Sequence, residues 1–150
     1  LVDSRVEFIV VGGVAAVLEG VPVSTFDLEV VYKLTDENVQ RLSGVLTELD
    51  AVYVDPAGRR MVPTEAHLRA RGHHLLRTRL GRLDVLGSVG HDWGFDWLID
   101  RSRSMSLHGM TIRLLTLEAI IECKEAAGRP KDRAVLDLLR QTLAEQRRRL

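Results

Sequence analysis

A near-continuous apolar, β-branched run, Val6–Val11, ends at Gly12-Gly13, and a short helix-forming stretch follows before a second strand-like run opens with Asp27-Leu28-Glu29. This order of parts constrains the fold more than anything else in the chain. Residues of the first run suit a central strand, Val14–Glu19 reads as two helical turns closed by Gly20, and Phe26–Lys33 alternates as a strand does. Alternate strand residues share a face and stand roughly 6.5–7 Å apart. Asp27 and Glu29 therefore project together, with Phe26, Leu28 and Val30 expected on the core side. Two carboxylates on one face repel unless a cation lies near them. A hard cation such as magnesium is held by one or two carboxylates and by substrate phosphates. Gly12 and Gly13 let backbone N–H groups come close to such phosphates. A solvated amphipathic strand after a tight turn is the plain alternative.

The remaining pattern mixes both kinds of element. Thr35 is placed to cap a helix to about Leu49, Ala51–Val54 reads as a short strand, and Asp55–Pro63 as a loop. A short helical piece near Thr64–Ala70 precedes a hairpin of His73–Thr78 and Arg82–Leu86 around Leu80-Gly81. Trp93–Ile99 reads as a short helix, and Met105–His108 and Met110–Leu114 as a strand pair turning at Gly109. Thr116 caps Leu117–Ala127, Gly128 stops it, and Pro130 opens a last helix where its missing N–H costs nothing. The expected class is α+β with a mixed sheet and flanking helices, in one domain over 1–150: a sheet-containing core to 114 and C-terminal helices from 115.

Charge is balanced overall but unevenly spread. Up to Gly58 the chain carries ten acidic and three basic residues; from Arg59 onward it carries eleven acidic and eighteen basic. Seven arginines fall between Arg59 and Arg82. Such asymmetry suits an acidic metal site facing a basic phosphate-binding surface, or simply a solvated arginine-rich face. One cysteine, Cys123, rules out an internal disulfide and fits a reducing cytoplasm. No apolar run reaches the roughly 20 residues that span a bilayer, so no membrane partner is expected.

A third acid joins the pair. In Arg82-Leu83-Asp84-Val85-Leu86, Leu83 and Val85 fill one face and Asp84 points to the other. If this strand lies beside Phe26–Lys33, three carboxylates converge, as metal-assisted phosphoryl and nucleotidyl transfer requires; a surface ion pair with Arg82 or Arg79 is the alternative. With these pieces in order, Phe8–Ala16, Thr25–Val31 and Arg82–Gly87 resemble the signature of the polymerase-β-type nucleotidyltransferase superfamily, in particular small prokaryotic members that include abortive-infection-type toxins. Leu114–Leu139, with Glu118, Lys124 and Gly128-Arg129-Pro130-Lys131-Asp132, resembles the C-terminal helical element of that family.

The resemblance implies a site for an NTP with Mg²⁺ or Mn²⁺. Asp27, Glu29 and Asp84 would be the metal and catalytic residues, and Gly12, Gly13, Lys124 and Lys131 would hold the nucleotide. It implies transfer of a nucleoside monophosphate to a hydroxyl on RNA, protein or a small molecule, and in a toxin–antitoxin setting a cognate antitoxin as partner. Four positions depart from the pattern: Glu29 replaces the usual second aspartate, Val23 replaces a polar or basic residue, Val14 replaces a phosphate-binding serine, and Glu19 stands where a neutral or basic residue would better suit a triphosphate. These departures keep a second reading open, a binding or regulatory module with little or no turnover.

Other residues carry less. Lys124 continues the apolar stripe of Leu117 and Ile121, and fits either a triphosphate contact or a last-turn lysine favoured by the helix dipole. Asp132 suits the start of the last helix electrostatically. His73 and His74 face opposite sides of a strand, which is wrong for chelation. Trp93 and Trp97, four apart, are expected to pack rather than to stack on bases.

Overall fold

The computed structural model describes residues 1–150, and a seven-stranded mixed sheet organises them. Its strands are β1 (Phe8–Val11), β2 (Asp27–Tyr32), β3 (Val52–Tyr53), β4 (His73–Thr78), β5 (Gly81–Leu86), β6 (Ser102–Leu107) and β7 (Met110–Leu115), in the spatial order β3-β4-β5-β2-β1-β7-β6. Helices are α1 (Gly12–Leu18), α2 (Asp36–Glu48), α3 (Glu65–Arg69), α4 (Phe95–Leu98), α5 (Leu117–Ala127) and α6 (Pro130–Arg148). The expected mixed α+β architecture is therefore the observed one.

Central strands are the apolar ones. Ile9, Val10, Val11, Val30, Val31 and Tyr32 are all buried, because β1 and β2 pair antiparallel in the middle of the sheet and carry packing on both faces. β5 then runs parallel to β2, and β7 parallel to β1. Leu136 and Leu139 of α6 belong to the same apolar cluster as Ile9 and Val85, so the terminal helices close the core rather than sit apart from it.

Local chemistry sets most boundaries. The Thr35 and Thr116 hydroxyls accept from Asn38 N (3.3 Å) and Ala119 N (3.3 Å) at the starts of α2 and α5. Gly128 ends α5 in the left-handed region at φ 63°, and Pro130 occupies the first turn of α6. β1 begins two residues later than its apolar run predicts, because buried Asn38 takes over the backbone there. Its side chain accepts from Glu7 N (2.7 Å) and donates to Glu7 O (3.0 Å) and Lys33 O (2.8 Å). The expected Trp93–Ile99 helix shrinks to the single turn α4, followed by a 3₁₀ turn at Ile99–Arg101. Trp93 instead bridges to Val89 and stacks on Trp97 at 4.1 Å, with Arg101 over the Trp97 ring at 3.4 Å.

Phe26 departs from expectation. It lies outside β2 and is 92% exposed, so it is no core residue. As expected, β4 separates its two histidines: His73 is exposed, while His74 is buried between Tyr53 Oη (2.8 Å from Nδ1) and Tyr32 Oη (3.3 Å from Nε2). Tyr32 donates to Leu68 O at 2.6 Å, which pins α3 to the sheet.

Candidate active site

Strand register gathers the acids. Val11, the residue before Gly12, pairs with Glu29 across β1–β2, and Glu29 pairs with Asp84 across β2–β5. Asp27, two residues earlier on the same face, pairs with Arg82. All three carboxylates thus stand on one face at the carboxyl side of β1. They border a cleft of about 530 Å³ together with Gly12 and Arg82. Lys124, Arg129 and Lys131 of the α5–α6 region form the facing wall, and Leu86, Leu115 and Ile120 supply apolar lining. His73, Ser88 and Gly90 also line it.

The electrostatics follow from this crowding. Burial pushes the Glu29 carboxyl above its ordinary range, Asp84 and Asp27 add to the rise, and Lys124 and Lys131 oppose it. Burial likewise raises Asp84, against the Arg82 guanidinium and with Asp27. Asp84 has a side chain only 7% exposed and accepts from Arg82 Nη2 at 3.4 Å, while Arg82 Nε is buried without any hydrogen-bond partner. The Asp84–Arg82 contact is the ion pair that the sequence allowed as an alternative, and it coexists with Asp84's place in the cluster.

Gly12 has a specific reason to be glycine. Its φ is +64°, and a Cβ there would collide with the Glu29 carboxylate, whose Cδ would lie 2.7 Å away. Glu29 therefore folds back over the Gly12 backbone. Gly13 serves differently: it does not border the cleft, and a Cβ on it would meet Thr25 Oγ1 at 2.7 Å. Its role in this fold is to let the α1 start and the loop before β2 approach each other.

Lys124 borders the cleft but is already engaged, donating to Asp132 Oδ1 at 3.2 Å. Arg129 Nε donates to the other Asp132 oxygen at 2.6 Å. Asp132, 1% exposed at its side chain, is the hub of the α5–α6 junction. Burial alone would raise its carboxyl, but the Arg129 and Lys124 hydrogen bonds outweigh it and hold the group below the carboxylate range. This replaces the simpler picture of an acid at a helix start. Lys131 borders the cleft with no such tie. Sequence reasoning passed over Arg129 and His73 as cleft residues; the adjacency of Arg129 to Lys131 was the available signal for the first, and the outward alternation of His73 for the second. Glu19, which looked unsuited to a triphosphate, does not border the cleft and pairs with Arg103 of β6.

No three His, Cys, Asp or Glu side chains are gathered as a ready-made metal cage. The donor set nonetheless fits a hard divalent cation. It is all oxygen, and two of its three carboxyls are raised in proton affinity by burial and mutual repulsion, the condition a cation relieves.

No family model and no curated protein sequence matches the chain. Its fold does have a counterpart among solved structures. A candidate nucleotidyltransferase from Thermotoga maritima, 20% identical, superposes over 94% of this chain and 84% of its own with a TM-score of 0.55. The two chains share this fold. At this identity the likeness fixes architecture, and chemistry rests on the residues of the cleft. No helix is long and apolar enough to cross a membrane.

Proposed function

We propose that the cleft binds an NTP with Mg²⁺ or Mn²⁺ and transfers its nucleoside monophosphate to an acceptor hydroxyl. The observation that carries this reading is the direct register of Glu29 with Asp84, with Asp27 on the same face, opposite a wall of Lys124, Arg129 and Lys131. An acidic wall faces a basic one across a cleft of nucleotide size. The superposed Thermotoga protein, named for the same chemistry, supports the reading at the level of fold.

Each residue has a task in this scheme. Asp27 and Glu29 would hold the cation, with Asp84 as a further ligand or as base. Bound there, the cation would neutralise charge on the phosphates and favour pyrophosphate as leaving group. Lys131, which lines the cleft free of other ties, would contact the triphosphate, and Lys124 would supply positive field from its place against Asp132. Gly12 leaves room for the Glu29 carboxylate and the incoming phosphates. The acceptor oxygen attacks the α-phosphorus, the bond to the bridging α–β oxygen breaks, and the acceptor proton passes to Asp84. Raised proton affinity suits Asp84 to that role.

Incubation with Mg²⁺, each labelled NTP and total RNA tests this. Label transfer is expected and should be lost in Asp27→Ala; absence of transfer to RNA, protein or small acceptors with every NTP would refute it. A second reading, a nucleotide-binding module without turnover, draws on Glu29 folded over Gly12 and Asp84 tied to Arg82. It predicts NTP binding with no product. A toxin role is read through the same residue: expression would arrest growth with Asp27 intact and spare growth in Asp27→Ala.

A further inference from the structure

The loop after β3 is pinned at both ends. Asp55, its side chain only 7% exposed, accepts from Ala57 N (3.0 Å), Arg59 N (3.2 Å) and Arg59 Nε (2.7 Å). Gly58, at φ +72°, donates its N–H back to Asp55 O at 2.9 Å, and Tyr53 N donates to Met61 O at 2.8 Å. A tight turn around one carboxylate, closed by the return of Met61 to β3, therefore fixes where Arg59 and Arg60 stand. Asp55 holds the Arg59 guanidinium by its Nε, leaving the terminal nitrogens for a ligand.

Arg59 and Arg60 meet Arg77 of β4 around a cavity of about 120 Å³, separate from the cleft. Arg60 and Arg77 are exposed and make no ion pair. The charged residues of the cavity are these three arginines and Asp55, a surplus of two positive charges. A phosphomonoester matches that surplus, with a charge of about −1.5 to −2 at pH 7 and three acceptor oxygens for the guanidinium forks to share. A carboxylate or a phosphodiester brings only a single charge.

Strand register ties the cavity to the cleft. Arg77 pairs with Arg82 across β4–β5, and Arg82 with Asp27 across β5–β2, so the three residues project from one face of the sheet. Leu75, two residues before Arg77 on that face, lines the cleft itself. Two strand spacings of about 4.8 Å put Arg77 about 10 Å from Asp27 along this row. One small phosphorylated molecule spans that distance, and no polymer is needed to bridge it.

We infer that the arginine cavity is a phosphomonoester site and that, on the proposed transferase reading, its phosphate belongs to a small acceptor whose hydroxyl reaches the carboxylates. In the transfer, the acceptor hydroxyl oxygen bonds to the α-phosphorus and the bond to the bridging α–β oxygen breaks. Pyrophosphate departs, and the hydroxyl proton goes to Asp84. The acceptor's own phosphate stays intact; Arg59, Arg60 and Arg77 position it, apart from the Lys124, Arg129 and Lys131 wall of the cleft.

Isothermal titration calorimetry with ribose 5-phosphate, without NTP or cation, tests the site. Ribose 5-phosphate should bind and ribose should not. Arg77→Ala and Arg60→Ala should each weaken binding about tenfold, the lower end for hydrogen bonds to a charged group, while Lys131→Ala leaves it unchanged. All three residues are exposed, and circular dichroism checks that the variants fold. Binding unaffected by both arginine substitutions, or lost in Lys131→Ala instead, would overturn the inference. So would dimethyl phosphate binding as well as ribose 5-phosphate. A short 5′-phosphorylated RNA binding more than about tenfold tighter through the same arginines would overturn the small acceptor, since added affinity would then come from further phosphates. Parallel titration with Mn²⁺ and NTP separates the two proposals. NTP binding without ribose 5-phosphate binding sinks the phosphate site alone, whereas ribose 5-phosphate binding at the arginines without NTP binding sinks the transferase reading and upholds the site.

Discussion

Gly12→Ala probes the point at which backbone and site chemistry meet. Two costs follow from the structure. Holding an L-residue at φ +64° costs about 1–2 kcal/mol. The new Cβ also falls on the Glu29 carboxylate, which must swing away. The side chain is flexible, so its movement adds little to stability but displaces one of the proposed cation ligands. For a chain of this length about 1 kcal/mol corresponds to roughly 2–4 °C in Tm, and the variant should melt roughly 2–8 °C lower. Its rise in Tm on adding Mn²⁺ and NTP should shrink to a small fraction of the wild-type rise. Gly13→Ala is the control. Its Cβ meets Thr25 and not Glu29, so it should lose stability yet keep the ligand-induced shift. Differential scanning fluorimetry on the three proteins reads both effects. A Gly12→Ala protein with unchanged melting and an unchanged response to Mn²⁺ and NTP would refute the reasoning.

Three further outcomes follow from the buried charges. Asp132→Asn removes the shared partner of Lys124 and Arg129, and breaking a buried pair from one side costs about 3–5 kcal/mol; because both cations reach solvent, the lower end is expected in urea unfolding. The folded pKa of Asp132 is depressed, so this deficit should persist at neutral pH and vanish only as pH falls below the ordinary carboxylate range and through the folded value. Glu29 behaves oppositely: its folded pKa is raised, so stability is lost as pH rises through it, and Glu29→Gln should raise the Tm of the cation-free protein at pH 7 while abolishing stabilisation by Mn²⁺ and NTP. Burial lowers His74, so the unfolded chain binds its proton more readily; stability should fall as pH drops below about 6.5, and His74→Gln should flatten that part of the melting profile.

The parts of the fold set by local chemistry were legible in the sequence. The Thr35 and Thr116 caps, Gly128 and Pro130 each act within a few residues and lie where the pattern placed them, whereas β1 starts two residues late and α1 starts at Gly12 rather than Val14. Alternation alone put Asp27 and Glu29 on one face and Asp84 on the outer side of its strand. Non-local facts were not legible. The parallel pairing that sets Glu29 against Asp84 joins residues 55 positions apart, and no local pattern encodes it. Phe26 alternates correctly for a core residue but precedes the first ladder pair, where no helix covers it. The arginine-rich segment looked uniform because ion pairs such as Arg69–Asp36 bridge distant stretches. With those pairs assigned, Arg60, Arg77 and Arg79 are left exposed without a carboxylate partner. Asp132 looked like an acid at a helix start because its two partners straddle the Gly128 turn and meet only when α5 and α6 pack.

The central claim is that Asp27, Glu29 and Asp84 act as one cation site that requires a nucleotide to complete it. Electron paramagnetic resonance of Mn²⁺ titrated into the protein, with and without a non-hydrolysable NTP, measures this without depending on the acceptor. Loss of free Mn²⁺ signal at about one ion or two per chain is expected, stronger with the nucleotide than without, and absent in Asp27→Ala. Free Mn²⁺ signal equal for wild type and Asp27→Ala, with nucleotide present, would contradict the account.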